Sequence, residues 1–198
     1  MQTTSQAIKA YAEALPEGAT LSARELLHLG ERAAVDQALS RLVRRGELLR
    51  VRRGLFALPM KTRFGSRAPS VEAVVGHIAK STGERVSQSG ASAANLLGIS
   101  TQNPSRQVFW TSGPSRHLKL GAQSVELKHV PSWQLRAPNS RAGHAFRALA
   151  YFGKSEAAQA LRRIKATLNE EEQRELLSLR ASAPTWMAKE LSALAPSQ

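Results

Sequence analysis

Residues Ala34 to Pro59 read AVDQALSRLVRRGELLRVRRGLFALP, and the fold turns on how this stretch is parsed. Val35, Leu39, Leu42 and Val43 fall within about 100° of one another on a helical wheel, so one face of a helix is apolar and faces a core. Ala33, Gln37, Ser40, Arg41 and Arg44 lie on the opposite face, and Gly46 is a C-terminal stop. Leu48-Leu49-Arg50-Val51-Arg52 and Leu55-Phe56-Ala57-Leu58 then read as two short strands joined through Arg53-Gly54, before Pro59 ends the pairing.

Upstream, Ala7, Ile8, Tyr11, Ala12 and Leu15 recur at helical spacing within Thr3 to Leu15, and Pro16-Glu17-Gly18 turns the chain. Ser22-Ala23-Arg24-Glu25 has the capping-box pattern, which predicts a short second helix running to about Leu29 and stopped by Gly30. The order helix, helix, turn, helix, hairpin predicts an N-terminal winged helix-turn-helix over residues 1–60. From Lys61 to Pro69 the apolar periodicity lapses, which places a linker at 61–69.

Residues 70–198 read as a mixed α+β domain ending in helices. Helices are expected over Ser70 to Ser81 and Ala91 to Leu97, and strands over Arg85 to Gln88, Gln107 to Thr111, His117 to Leu120 and Ser124 to Val130. Three or four helices follow from 139 to 194. The fold class expected for the whole chain is α+β.

The 198 residues carry 28 Lys+Arg against 15 Asp+Glu, a formal charge of +13, and no cysteine. Disulfide scaffolds, thiolate zinc sites, iron-sulfur clusters and cysteine nucleophiles are therefore excluded. The Met1 to Gln6 lead lacks the pattern of a secretory signal and no run approaches about 18 apolar residues, so a cytoplasmic protein without membrane insertion is expected. Excess positive charge attracts polyanions. It is concentrated: between Arg41 and Arg53 there are six arginines and one acid, Glu47, whereas residues 169–198 carry a net −2.

A helix with short polar and basic groups outward can enter a major groove about 12 Å wide, where arginine bonds guanine bidentately and glutamine bonds adenine. Gln37, Ser40 and Arg41 have the chemistry for reading bases. Arg44, Arg50, Arg52 and Arg53, at the helix end and in the hairpin, suit phosphates, and Arg32 in the first helical turn suits either. The competing account is a solvated basic face. In Thr111 to Arg116, hydroxyls, backbone N–H groups near Gly113 and the Arg116 cation could hold a phosphate, but a tight turn would use the same residues.

Enzyme signatures are missing. His28, His77, His117, His129 and His144 show no metal-ligand spacing, and there is neither a phosphate-binding Gly-x-x-x-x-Gly-Lys loop nor a Gly-x-Ser-x-Gly elbow. Glu72, Glu84, Glu126 and Glu156, the acids of 69–168, form no clustered pair. A binding protein with no catalysis, cofactor or metal is expected.

The run from Ala34 to Leu42 with Gly46 to Pro59 resembles the winged-helix module of AbiEi-type antitoxins of bacterial type IV toxin-antitoxin systems. Ser92-Ala93-Ala94-Asn95-Leu96-Leu97-Gly98-Ile99-Ser100-Thr101-Gln102 and Thr111-Ser112-Gly113-Pro114-Ser115-Arg116 are similar to that group's shorter branch. The resemblance implies a repressor that binds the operator DNA of its own operon, with a second domain that counteracts a nucleotidyltransferase-type toxin. Alternatives are a stand-alone winged-helix regulator, or an RNA- or nucleotide-binding protein acting through the basic second domain.

Overall fold

The computed structural model describes residues 3–101 and 106–195; Met1, Gln2 and Gln102, which entered the sequence reading, lie outside them. The protein is mixed α+β, as expected. Its chain divides into two compact units, Met1–Glu84 with Arg116–Val125, and Arg85–Ser115 with Glu126–Gln198.

In the first unit, helix α1 (Thr4–Glu13) starts at a capping box in which Thr3 and Gln6 exchange hydrogen bonds. Strand β1 (Thr20–Ser22) follows, then a single 3-10 turn (Leu27–Leu29), helix α2 (Arg32–Arg44), and strands β2 (Leu49–Arg52) and β3 (Leu55–Ala57). The three strands form an antiparallel sheet ordered β1-β3-β2. Ile8 and Ala12 of α1 and Val35, Ala38, Leu39 and Leu42 of α2 meet Leu21, Leu26, Leu48 and Phe56 in one buried cluster. Helix α2 ends as its sequence predicts: Gly46, at φ 68°, lets Gly46 N–H donate to the Val43 carbonyl and Glu47 N–H to the Leu42 carbonyl.

The helix expected after Ser22 does not form. The reciprocal capping bonds are present, with Ser22 N–H donating to the Glu25 carboxylate at 2.6 Å and Glu25 N–H to Ser22 Oγ at 3.4 Å. The chain nevertheless continues through i→i+3 bonds, Glu25 N–H to the Ser22 carbonyl and Leu29 N–H to the Leu26 carbonyl. So few residues before Gly30 cannot offset the cost of helix nucleation, and burying Leu26 fixes a tighter turn.

The predicted linker is also corrected. Met60–Thr62 (β4) and Gly65–Arg67 (β5) pair as a hairpin. The boundary expected there moves, because α3 (Val71–Thr82) packs within the first unit, burying Val71, Val74, Val75 and Ile78. Gly18 makes that packing possible: at φ 79°, a Cβ there would sit 2.5 Å from the Ala73 Cβ.

The remaining elements are β6 (Val86–Gln88), α4 (Gly90–Leu96), β7 (Gln107–Thr111), β8 (Arg116–Leu120), β9 (Gln123–His129), α5 (Arg141–Lys165), α6 (Glu170–Ser178) and α7 (Thr185–Leu191). Their sheet is ordered β6-β7-β9-β8. Helix α5 is broken at Gly153, whose φ of 73° and ψ of −178° are not helical. In the second unit Ala93, Ala94, Phe146, Leu149, Leu161, Ile164, Leu176, Met187 and Leu191 share one core, against which Trp186 and Leu194 pack. Glu170, Glu171 and Glu172 occupy the first turn of α6, behind the Asn169 N-cap, where the helix dipole favours them.

Arg147 is fully buried on α5 and makes no ion pair among the described residues. Its guanidinium donates to the carbonyls of Arg136 (3.0 Å) and Pro138 (2.9 Å). Burial pushes its pKa down to about 10, so it remains a cation at neutral pH. Between the two acceptors Ala137 adopts φ 44°, and its carbonyl lies where a Cβ on Gly143 would be, 1.7 Å away. The cation holds a tight loop against the start of the helix. Arg147→Met, which keeps the stem and leaves both carbonyls without this donor, is expected to lose about 2–4 kcal/mol, read as a lower urea midpoint at unchanged slope. An unchanged midpoint would contradict this role.

A second clamp ties α1 to the end of α2, where Lys9 donates to the Glu47 carboxylate. The hydrogen bond to Lys9 holds the Glu47 carboxyl below its ordinary range, and Glu47 holds the Lys9 ammonium above its own. The Glu47 contribution is present above the ordinary carboxylate pKa and is lost as pH falls through the folded value. The Lys9 contribution is present below the ordinary lysine pKa and is lost as pH rises through its raised value. Glu47→Gln should therefore melt below wild type at pH 7, with the gap closing in acid; a gap constant across a pH series would refute the clamp.

Candidate nucleic-acid interface

The apolar stripe of α2 is buried, so its remaining positions are displayed by subtraction. Gln37, Ser40, Arg41 and Arg44 are all exposed and recur at the three- and four-residue spacing of one helix face. Arg32 is exposed too, but at about 100° per residue it stands roughly 140° around the helix from Gln37. Its Nε also donates to Asp36 at 2.9 Å. The Asp36 pair, rather than rotation alone, sets Arg32 apart from the other α2 candidates, since it stands only about 80° from Ser40.

In the hairpin, Arg50, Arg52 and Arg53 are exposed while Val51 is buried. The pairing slips by one residue between Arg50 and Arg52, and Gly54, at φ 73°, closes the turn. The Arg50 guanidinium lies 5.5 Å from the centre of the Phe56 ring, its cross-strand partner, which braces the side chain.

What distinguishes this surface is missing neutralisation. Glu47 is the only acid between Arg41 and Arg53, and it is held by Lys9. Among the described residues, none of the six guanidiniums of that stretch makes an ion pair or a hydrogen bond within the protein. Arg45 differs in position: with Arg41, Lys9 and Glu47 it lines a hollow of about 380 Å³ beside α1.

The β4–β5 hairpin is a feature that the sequence reading missed. Phe64 at its tip is 86% exposed, with the Arg63 guanidinium 4.6 Å from its ring centre. Lys61 and Arg67 reach Glu13 and Glu17, both at 3.6 Å. The only signal in the sequence is the turn chemistry of Thr62 to Gly65, where Thr62 Oγ1 donates to the Gly65 carbonyl and accepts from Phe64 N–H.

The Thr111–Arg116 segment is a turn whose polar groups are engaged. Thr111 Oγ1 accepts from Gly113 N–H, Ser112 Oγ from Arg85 N–H, and Ser115 Oγ from His129 N–H. Arg116 bonds Glu84 at 2.8 Å with both side chains largely buried. These donors and acceptors are committed to the fold rather than arranged around an anion.

Three histidines are engaged with the fold: His28 Nδ1 meets the Glu25 carbonyl, His77 Nδ1 meets Thr20 and His129 Nδ1 meets the Gly113 carbonyl. Burial, reinforced by Arg147 and Arg141, pushes the His144 pKa down. Among the described residues no cluster of His, Asp or Glu is placed to hold a metal ion, and no helix is long and apolar enough to cross a membrane.

Among solved structures, the RV2827C protein from Mycobacterium tuberculosis is similar over 96% of this chain and 75% of its own, at 19% identity and a TM-score of 0.52. At that identity the likeness concerns the fold alone. No curated protein matches the sequence. The family model described as a family of unknown function (DUF6088) matches residues 7–176. The chain belongs to the DUF6088 family.

Proposed function

We propose that the first unit is a winged helix-turn-helix that binds duplex DNA, with α2 in the major groove and the β2–β3 hairpin as the wing along the backbone. The observation that carries this reading is the set of arginines on α2 and β2–β3 that have no acidic partner while the one nearby acid is tied to Lys9. Buried apolar residues on the other side of α2 hold it rigid, so its outward groups are presented without loss of folding contacts. The element order and the β1-β3-β2 sheet suit this assignment.

Within that reading Gln37, Ser40 and Arg41 contact base edges, and Arg44, Arg50, Arg52 and Arg53 contact phosphates. Arg32, braced by Asp36, takes a flanking phosphate at most. The protein represses transcription by occupying the operator of its own operon. On the resemblance of residues 92–102 and 111–116 to AbiEi-type antitoxins, we extend the proposal to counteraction of a nucleotidyltransferase-type toxin by the second unit. Co-purification of the full chain with the product of the neighbouring gene tests that extension, and its absence would leave a stand-alone regulator.

The DNA-binding proposal is tested by gel-shift titration of the full chain on its own upstream sequence. With about six phosphates neutralised, log K should fall against log salt with a slope near −5. Arg41→Ala should lose about 1–3 kcal/mol of preference over a scrambled duplex, whereas Arg52→Ala should weaken both duplexes alike and flatten the slope by about 1. Equal loss of preference from both variants would overturn the division of roles, and salt-independent affinity would overturn the interface.

A further inference from the structure

Strand β8 lies beside β2 within the first unit. Its residues alternate. Leu118 and Leu120 are buried, whereas His117 and Lys119 are exposed on the opposite face. A groove of about 570 Å³ runs between the two strands, with Arg50, Arg52 and Arg53 on one side and His117, Lys119 and Gln123 on the other. No carboxylate lines it, and none of the basic groups has an ion pair among the described residues.

Resting on the reading of this unit as a DNA-binding module, we propose that the groove is a track for the phosphate backbone of duplex DNA, and that Lys119 and His117 of β8 form its second wall. The chemistry is that of a linear polyanion rather than of a single small anion. Alternate residues on a regular strand are about 6.6 Å apart, so His117 and Lys119 line one wall in series, while the register slip between Arg50 and Arg52 turns the arginines of the other wall along the same trough. Gln123 and Ser124 add neutral hydrogen-bonding groups to a trough open to solvent. Basic groups converging without acids attract a polyanion and repel one another in its absence. A wing that reached only the tip of the β2–β3 hairpin would leave Lys119 with no part in binding. Here a strand far along the chain widens the wing.

The test measures full-chain affinity for the chain's own upstream duplex and for a mixed-sequence duplex of about 30 bp across a salt series, using wild type, Lys119→Ala, Lys119→Arg, Lys119→Glu and Arg41→Ala. Lys119 is exposed, so these variants should fold, and equal melting temperatures check it. Lys119→Ala should weaken binding about three- to tenfold near 0.1 M salt and flatten the log–log slope by about 0.9. Lys119→Arg should restore both, and Lys119→Glu should weaken binding further. Wild-type slope in Lys119→Glu, with Arg41→Ala still impaired on the upstream duplex, overturns the track and leaves the winged-helix reading standing. Absence of salt-dependent duplex binding by wild type overturns that reading itself. Displacement of the duplex by single-stranded RNA more effectively than by unlabelled duplex overturns the assignment to DNA.

Discussion

The carbonyl of Leu42 accepts the backbone N–H groups of both Glu47 and Leu48, and this junction fixes how β2 leaves α2. Leu42 and Leu48 are both buried, so the turn is anchored in the core rather than hinged at the surface. Arginines on the helix and on the hairpin are thus held by one rigid corner instead of two independent elements. Glycine at 46 is required because the turn needs a positive φ, and Glu47 is drawn off the basic face by Lys9. Positive charge without local compensation is costly to concentrate, and the corner concentrates it in a solvent-facing position where an anion can reach it.

Helix α2 was legible because two independent signals agreed: the spacing of Val35, Leu39, Leu42 and Val43, and the glycine placed to stop the helix. Exposure of Gln37, Ser40, Arg41 and Arg44 follows from that burial, so this part of the candidate interface could be read directly. Residues 23–29 misled because the capping pattern was real while the segment behind it was too short to nucleate a helix. Gly65-Ser66-Arg67 is exposed throughout and shows no alternation of apolar residues, so apart from the turn chemistry of Thr62 to Gly65 nothing local announced the β4–β5 hairpin. Arg32 looked equivalent to its neighbours until the Asp36 bond set it apart.

Long-range placement was the least legible part. Whether 116–125 packs with the first unit depends on strand neighbours distant in sequence, which periodicity cannot report. Nothing in the sequence around Arg147 signals its burial, which the carbonyls of Arg136 and Pro138 explain. The second unit has a continuous core into which Met187 and Leu191 are closed. Its part in the proposed antitoxin activity rests on resemblance, whereas the DNA-binding proposal rests on geometry and charge.

The most direct measurement uses the absence of cysteine from the chain. Ser40→Cys, in the middle of the outward face of α2, and Glu72→Cys, on the acidic first turn of α3, would each carry one thiol-linked photo-crosslinker. Strong crosslinking of the upstream duplex is expected from position 40, removed by excess unlabelled duplex and by high salt, and little from position 72. Crosslinking from position 40 no greater than from position 72 would contradict the proposed interface.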